Sequence, residues 1–185
     1  MKYVIVLPDG VSDLPIKELG EKTPLEVAKH PHMDWIAREG ATGLARTIPE
    51  GFAPGSDVGC MSVFGYDPRK HHTGRAPLEA AAQGIVLAAD QVAFRCNTLT
   101  VEKGIMVDHS ADHITTDESV QLMIDVEKQL GGNGARFFPG VSYRHILVAE
   151  GADYAKTRCT PPHDILGKPI EAFLPAGPKA DELIR

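Results

Sequence analysis

Residues 3–7, Tyr-Val-Ile-Val-Leu, are apolar at every position. A strand with one wet face alternates, whereas a strand covered on both faces, as in a parallel sheet, does not. The run therefore predicts a buried strand ended by Pro8, with Asp9-Gly10 as the turn beyond it. Open α/β sheets bind ligands at the carboxyl ends of their strands, which is where Asp9 falls. Thr23-Pro24-Leu25-Glu26 carries two helix-start signals, a capping box and a proline suited to the first helical position. Pro31 is read as an interruption, with a second helix from about His32 to Glu39 closed by Gly40. Gly43 to Ile48 is the next expected strand. A Gly/Pro-rich loop, residues 49–57, then leads into a helix over Val58–Gly65, with Ser56 at its N-terminus. Another helix is expected from near Pro77 to about Gln83.

The pattern changes near residue 90. Val92, Phe94 and Cys96 alternate with Ala93, Arg95 and Asn97, which is strand periodicity with one polar face. Glu102-Lys103-Gly104 turns the chain into Ile105-Met106-Val107, a hairpin. Thr115 to Leu130 reads as a capped helix ended by Gly131-Gly132, and Ser142 to Ala149 as a further strand. The fold class expected is α/β: part of a parallel-sheet domain over residues 1–90, then an α+β unit over residues 91–175. Residues 178–185 read as the opening of one more helix.

Composition excludes several functions. The formal net charge is −6 and the basic residues form no stripe, which argues against a nucleic-acid partner. The N-terminal apolar run is too short to span a membrane and carries no signal-peptide pattern. Three widely spaced cysteines, Cys60, Cys96 and Cys159, suit reduced thiols of a cytoplasmic protein better than a disulfide framework.

Candidate chemistry is concentrated in a few polar residues. Asp9 can hold a divalent metal, or simply form an Asp-Gly turn. Ser56 can cap its helix, or serve as a nucleophile where the helix N-terminus favours anions. Asp108-His109-Ser110-Ala111-Asp112-His113 packs carboxylates and imidazoles together; a solvated loop before a helix cap explains it better than a metal site. Thr160-Pro161-Pro162-His163-Asp164 is a rigid turn presenting a histidine and an aspartate. Arg75 follows Thr73-Gly74, and Arg144 lies in a strand. Either suits bidentate phosphate or carboxylate recognition, or an ordinary surface position.

Seven segments, in order, carry a resemblance. They are Val-Leu-Pro-Asp-Gly at 6–10, Pro-Gly-Ser-Asp-Val at 54–58, Phe-Gly-Tyr-Asp-Pro at 64–68 and His-Thr-Gly-Arg-Ala-Pro-Leu-Glu-Ala at 72–80. Ala-Phe-Arg-Cys-Asn at 93–97, Gly-Val-Ser-Tyr-Arg at 140–144 and Cys-Thr-Pro-Pro-His-Asp at 159–164 complete the set. Together they resemble the N-terminal portion of the archaeal-type cofactor-independent phosphoglycerate mutases, in the alkaline phosphatase superfamily.

The resemblance implies that Asp9 is a metal ligand and that Ser56 is both a metal ligand and the residue phosphorylated during the reaction. It implies two divalent metal ions (manganese, zinc, cobalt or magnesium) and no 2,3-bisphosphoglycerate. His113, Arg144, His163 and Asp164 would face the substrate from an inserted domain that closes over it, with Arg75 in the catalytic domain. The partners implied are a small phosphorylated substrate and the remainder of the same chain, residues 176–185 beginning the return to the catalytic domain. Two departures stand out. Cys60 occupies a place where relatives carry Asn, and the family's later Asp and His metal ligands are absent from these 185 residues. An inactive fragment is therefore expected. A homoserine kinase-like branch of the family and a non-catalytic binding module are the alternatives.

Overall fold

The computed structural model describes residues 1–8 and 10–184. They fall into two compact units, Met1–Arg46 and Thr47–Arg185.

In the first unit a 3₁₀ turn, Lys17–Leu19, precedes helices α1 (Pro24–Val27) and α2 (Pro31–Glu39). The capping box at α1 is present: Thr23 Oγ1 accepts from the Glu26 N–H at 3.2 Å, and Glu26 Oε2 accepts from the Thr23 N–H at 2.7 Å. Pro31 opens α2 rather than interrupting it, because the first helical position needs no N–H donor. His30 joins the two helices, its ring nitrogens lying 2.7 Å from the Leu25 carbonyl and 2.8 Å from Asp34 Oδ1. Both neighbours are acceptors, an arrangement that favours the doubly protonated ring. The Leu25 carbonyl first, and Asp34 against the cost of burial, raise its pKa.

Two expected strands are not formed. Residues 3–7 and 43–48 lie in no ladder among the described residues, and the side chains of 3–7 stay exposed, from 49% at Leu7 to 85% at Tyr3. A strand apolar on both faces forms only when flanking strands take its backbone groups and outer layers cover it. No such flanking strand is found among the described residues, so the mixed α/β class holds while the ladders observed are all antiparallel.

The second unit begins with α3 (Ser56–Val63), α4 (Pro68–His71) and α5 (Arg75–Ala82). Its sheet has the order β1-β5-β4, from β1 (Gln91–Asn97), β4 (Ala135–Phe138) and β5 (Arg144–Glu150). The alternation from Val92 to Asn97 forms β1 as expected, in register Ala93↔Val148 and Arg95↔Ile146. A separate hairpin joins β2 (Thr100–Glu102) to β3 (Ile105–Asp108). Lys103 and Gly104 both adopt positive φ, +50° and +77°, as a tight hairpin turn demands. Helix α6 (Thr116–Leu130) opens on a Thr115–Glu118 capping box and packs against β4. A short helix, α7 (Ala180–Leu183), lies where a helix opening was expected.

One face of the sheet forms the core. Ala93, Ile146 and Val148 pack against Ala76 and Ala80 of α5, with Ile85, Leu87 and Phe138 at the margin. Small residues on α5 let the helix lie close to the strands. The opposite face carries Cys96 and His145, register partners across β1 and β5.

Candidate functional site

Ser56 is the first residue of α3 and is exposed. It is not the cap: Gly55 holds that position in extended conformation, with no side-chain capping bond. The serine hydroxyl is therefore uncommitted among the described residues, beside a helix terminus whose backbone N–H groups favour negative charge. A Cβ at position 55 would lie 2.5 Å from Asp57 Oδ1, so a larger residue there would push that carboxylate aside. Asp57 Oδ2 is 2.7 Å from His72 Nε2, and the His72 ring takes an edge contact with Phe52 at 5.9 Å. Burial of Asp57 opposes ionisation, but hydrogen bonds from His72 and from backbone N–H groups outweigh it and lower its pKa. Asp9 lies outside the described residues.

A second cluster forms at the start of β5. Its scaffold is the loop after β3, where the Asp108 carboxylate accepts from Ser110 N–H (2.8 Å), Ser110 Oγ (2.7 Å) and Asp112 N–H (2.7 Å). Hydrogen bonds from Ser110, then from Asp112, pull the Asp108 pKa down to about 2. Ala111, Asp112 and His113 follow at φ of +49°, +55° and +53°. Three successive non-glycine residues in the left-handed region cost energy, which the Asp108 hydrogen bonds offset. Ser142, also at positive φ, ties this loop to the sheet: its hydroxyl donates to the Ile114 carbonyl at 2.7 Å, and its N–H to Thr116 Oγ1 at 3.1 Å.

These ties bring side chains from three segments around Tyr143. The ring centroids of His109 and His113 lie 5.9 and 6.3 Å from that of Tyr143, both in edge geometry. The Arg144 guanidinium carbon sits 4.5 Å from the Tyr143 centroid. His163 meets His109 at 6.2 Å, with Asp164 Oδ1 3.6 Å from His163 Nε2. Four expected residues, His113, Arg144, His163 and Asp164, thus converge. His109 and Tyr143 were not expected in the site, although His109 stands in the Asp/His-rich hexapeptide and Tyr143 beside Arg144 in a quoted motif.

Arg75 lies elsewhere, at the first residue of α5. Its Nε is 3.3 Å from Glu79 Oε1, while Arg95 Nε donates to Glu79 Oε2 at 3.1 Å. Two guanidinium groups on one carboxylate leave a net positive charge beside a cleft of about 370 Å³ lined by Arg75, Arg95, Asn97 and Thr160–Pro162. Asn97 Oδ1 is buried without a hydrogen-bond partner among the described residues. The Pro161–Pro162 segment lines this cleft and leads directly into His163, so the cleft and the Tyr143 cluster are consecutive along the chain. No hydrogen bond, ion pair or ring contact among the described residues joins Ser56 to either.

The residues also limit what metal can be held. Among the described residues no group of three or more His, Cys, Asp or Glu is placed to bind an ion. Asp57, the carboxylate next to Ser56, is already engaged by His72. Ser56 offers one oxygen donor, and a complete metal site is not assembled by these residues.

The sequence model of 2,3-bisphosphoglycerate-independent phosphoglycerate mutase matches residues 37–185. The chain belongs to this family. It is 54% identical over 177 residues to the mutase of Methanosarcina acetivorans, covering 96% of this chain and 45% of that protein. To the mutase of Methanothrix thermoacetophila it is 55% identical over 184 residues, all of this chain and 46% of that protein. The chain therefore spans less than half the length of these curated relatives. Among solved structures, the PH0037 protein from Pyrococcus horikoshii matches with a TM-score of 0.61 at 33% identity, over 76% of this chain and 35% of that one. The mutase family is independent of 2,3-bisphosphoglycerate by its description. No helix among the described residues is long and apolar enough to cross a membrane.

Proposed function

We propose that this chain supplies the nucleophile and the substrate-facing surface of a cofactor-independent phosphoglycerate mutase that interconverts 2- and 3-phosphoglycerate through a phosphoserine at Ser56. The observation that carries the reading is the placement of Ser56: an exposed, uncapped hydroxyl at the first residue of α3, in a chain that belongs to this family. Ser56 Oγ attacks phosphorus, the substrate P–O bond breaks, and the hydroxyl proton ends on the departing glycerate oxygen. Glycerate then turns within the closed site. Its other hydroxyl takes the phosphoryl group back, and Ser56 regains a proton.

Each of this chain's parts has a task in that sequence. The α3 N-terminus favours the incoming phosphate. Arg144, His113, His163 and Asp164 hold the glycerate while it reorients, and Arg75 binds anionic oxygen from the α5 end. Two divalent ions, of manganese, zinc, cobalt or magnesium, with Asp9 and Ser56 among their ligands, would lower the serine pKa and neutralise charge on the dianionic phosphate. In this reading residues 1–90 belong to the catalytic domain, 91–175 to the closing insert and 176–185 to the return. The reaction runs in the cytoplasm, in glycolysis and gluconeogenesis.

The test uses a full-length mutase that contains this chain. Ser56→Ala should abolish phosphoserine labelling and cut turnover by a factor of about a thousand or more. Undiminished labelling, or phosphorylated homoserine as the product with ATP, would overturn the proposal. The 185-residue chain alone should show no mutase turnover.

A further inference from the structure

Resting on the reading above, we propose that Tyr143 is the positioning residue of the substrate-facing surface: its ring, not its hydroxyl, fixes where Arg144, His109 and His113 present their donors. Three side chains meet this ring. The Arg144 guanidinium carbon is 4.5 Å from the centroid, and the two imidazoles approach edge-on at 5.9 and 6.3 Å. Interplanar angles of 84° and 67° make both pairs edge-to-face, the arrangement that aromatic quadrupoles favour. A guanidinium stacked on an aromatic ring loses torsional freedom while keeping its N–H groups outward, free for an anion.

The backbone that carries the ring is anchored. The Tyr143 carbonyl accepts from the Thr98 N–H at 3.0 Å, which extends the β1–β5 pairing one residue past Arg144. The preceding residue, Ser142, is bonded to Ile114 and Thr116. Tyr143 is therefore held by the sheet on one side and by the histidine-bearing loop on the other. The hydroxyl has no hydrogen-bond partner among the described residues, so the ring carries the effect. The partner chemistry is a small carboxylate or phosphate bearing hydroxyl groups, with His109 as an additional donor toward it through its shared contact with His163.

Two measurements test this. In the full-length mutase, Tyr143→Leu should raise KM for phosphoglycerate about tenfold, from loss of one cation–π contact and two edge contacts, with kcat changed less than about threefold. Tyr143→Phe should rescue KM to within about twofold of the parent. In the 185-residue chain, the imidazole carbon-bound protons of His109 and His113 should show ring-current shifts that persist in Tyr143→Phe and vanish in Tyr143→Leu, while Ile146 methyl signals report an intact sheet. The inference is overturned if Tyr143→Phe behaves as poorly as Tyr143→Leu, if KM is unmoved in Tyr143→Leu, or if the parent imidazoles show no ring-current shift. The spectral result does not depend on turnover. Its failure is thus distinguishable from failure of the mutase reading, which Ser56→Ala decides.

Discussion

Ile146 is fully buried on the central strand β5, against Ala76 and Ala80 of α5 and Ala93 of β1. It links the helix that begins with Arg75 to the strand that begins with Arg144. Ile146→Val removes one carbon and should cost about 1 kcal/mol. Ile146→Ala removes three, a transfer cost of about 2.4 kcal/mol at about 0.8 per carbon. The alanines around it have no side-chain rotamers with which to fill the space, so much of the cavity should persist and raise the total to about 3.5 kcal/mol. With a urea dependence of about 2 kcal/mol per molar, the midpoints should fall by about 0.5 M and about 1.7 M. Far-UV circular dichroism is the suitable probe. The only tryptophan, Trp35, belongs to the Met1–Arg46 unit, and its fluorescence would follow that unit instead. Leu122→Ala, at a half-exposed position of α6, is the control and should move the midpoint far less. If Ile146→Ala shifts it no further than Leu122→Ala does, the sheet–α5 core described above is not what stabilises the unit.

Other consequences follow for a buried histidine and a partly buried cysteine. His145 is 1% exposed, its Nδ1 accepts from the Gly140 N–H, and its Nε2 has no hydrogen-bond partner among the described residues. Burial lowers its pKa, so below about pH 6.5 the unfolded chain takes up a proton that the folded chain resists. Its contribution to stability is full above that pH and declines as pH falls. The difference in urea midpoint between parent and His145→Gln should therefore shrink from pH 7.5 to 5.5, and a constant difference would refute the assignment. Burial pushes the Cys96 thiol up to about 11. At pH 8 only about one molecule in a thousand is then thiolate. Cys96 is partly exposed along a cavity, so iodoacetamide should label it slowly in the native chain at pH 8 and faster as pH rises toward 11; labelling at the rate of a free thiol would contradict the raised pKa.

Elements closed by local chemistry were readable from sequence. The Thr23–Glu26 and Thr115–Glu118 boxes, the Lys103-Gly104 turn and the alternation in β1 each specify their own geometry within a few residues. The strand expected at residues 3–7 depends on distant pairing, and periodicity cannot say whether the partners are at hand. The break between α1 and α2 is marked by Pro31, but because proline also suits the first helical position the start of α2 is defined only to within a residue. Strand β4, Arg136-Phe137-Phe138 after Ala135, is too short to display a period. In the site, Ser56 and the Arg144 cluster were reached through motifs. The contacts of His109 and His113 with Tyr143 depend on a loop held by Asp108 hydrogen bonds and three left-handed residues, which no spacing rule encodes. Asp57–His72 joins residues fifteen apart and was equally invisible.

The exposed run at residues 3–7 has a practical consequence. Its side chains are apolar and strongly β-prone, and it contains neither proline nor charge. Such a segment is a template for intermolecular strand pairing, the chemistry of aggregation rather than of folding. Lys2 and Pro8 flank it as gatekeepers, one by charge and the other by its missing donor. A charge placed within residues 3–7 should therefore lower self-association of this chain without touching the Tyr143 cluster.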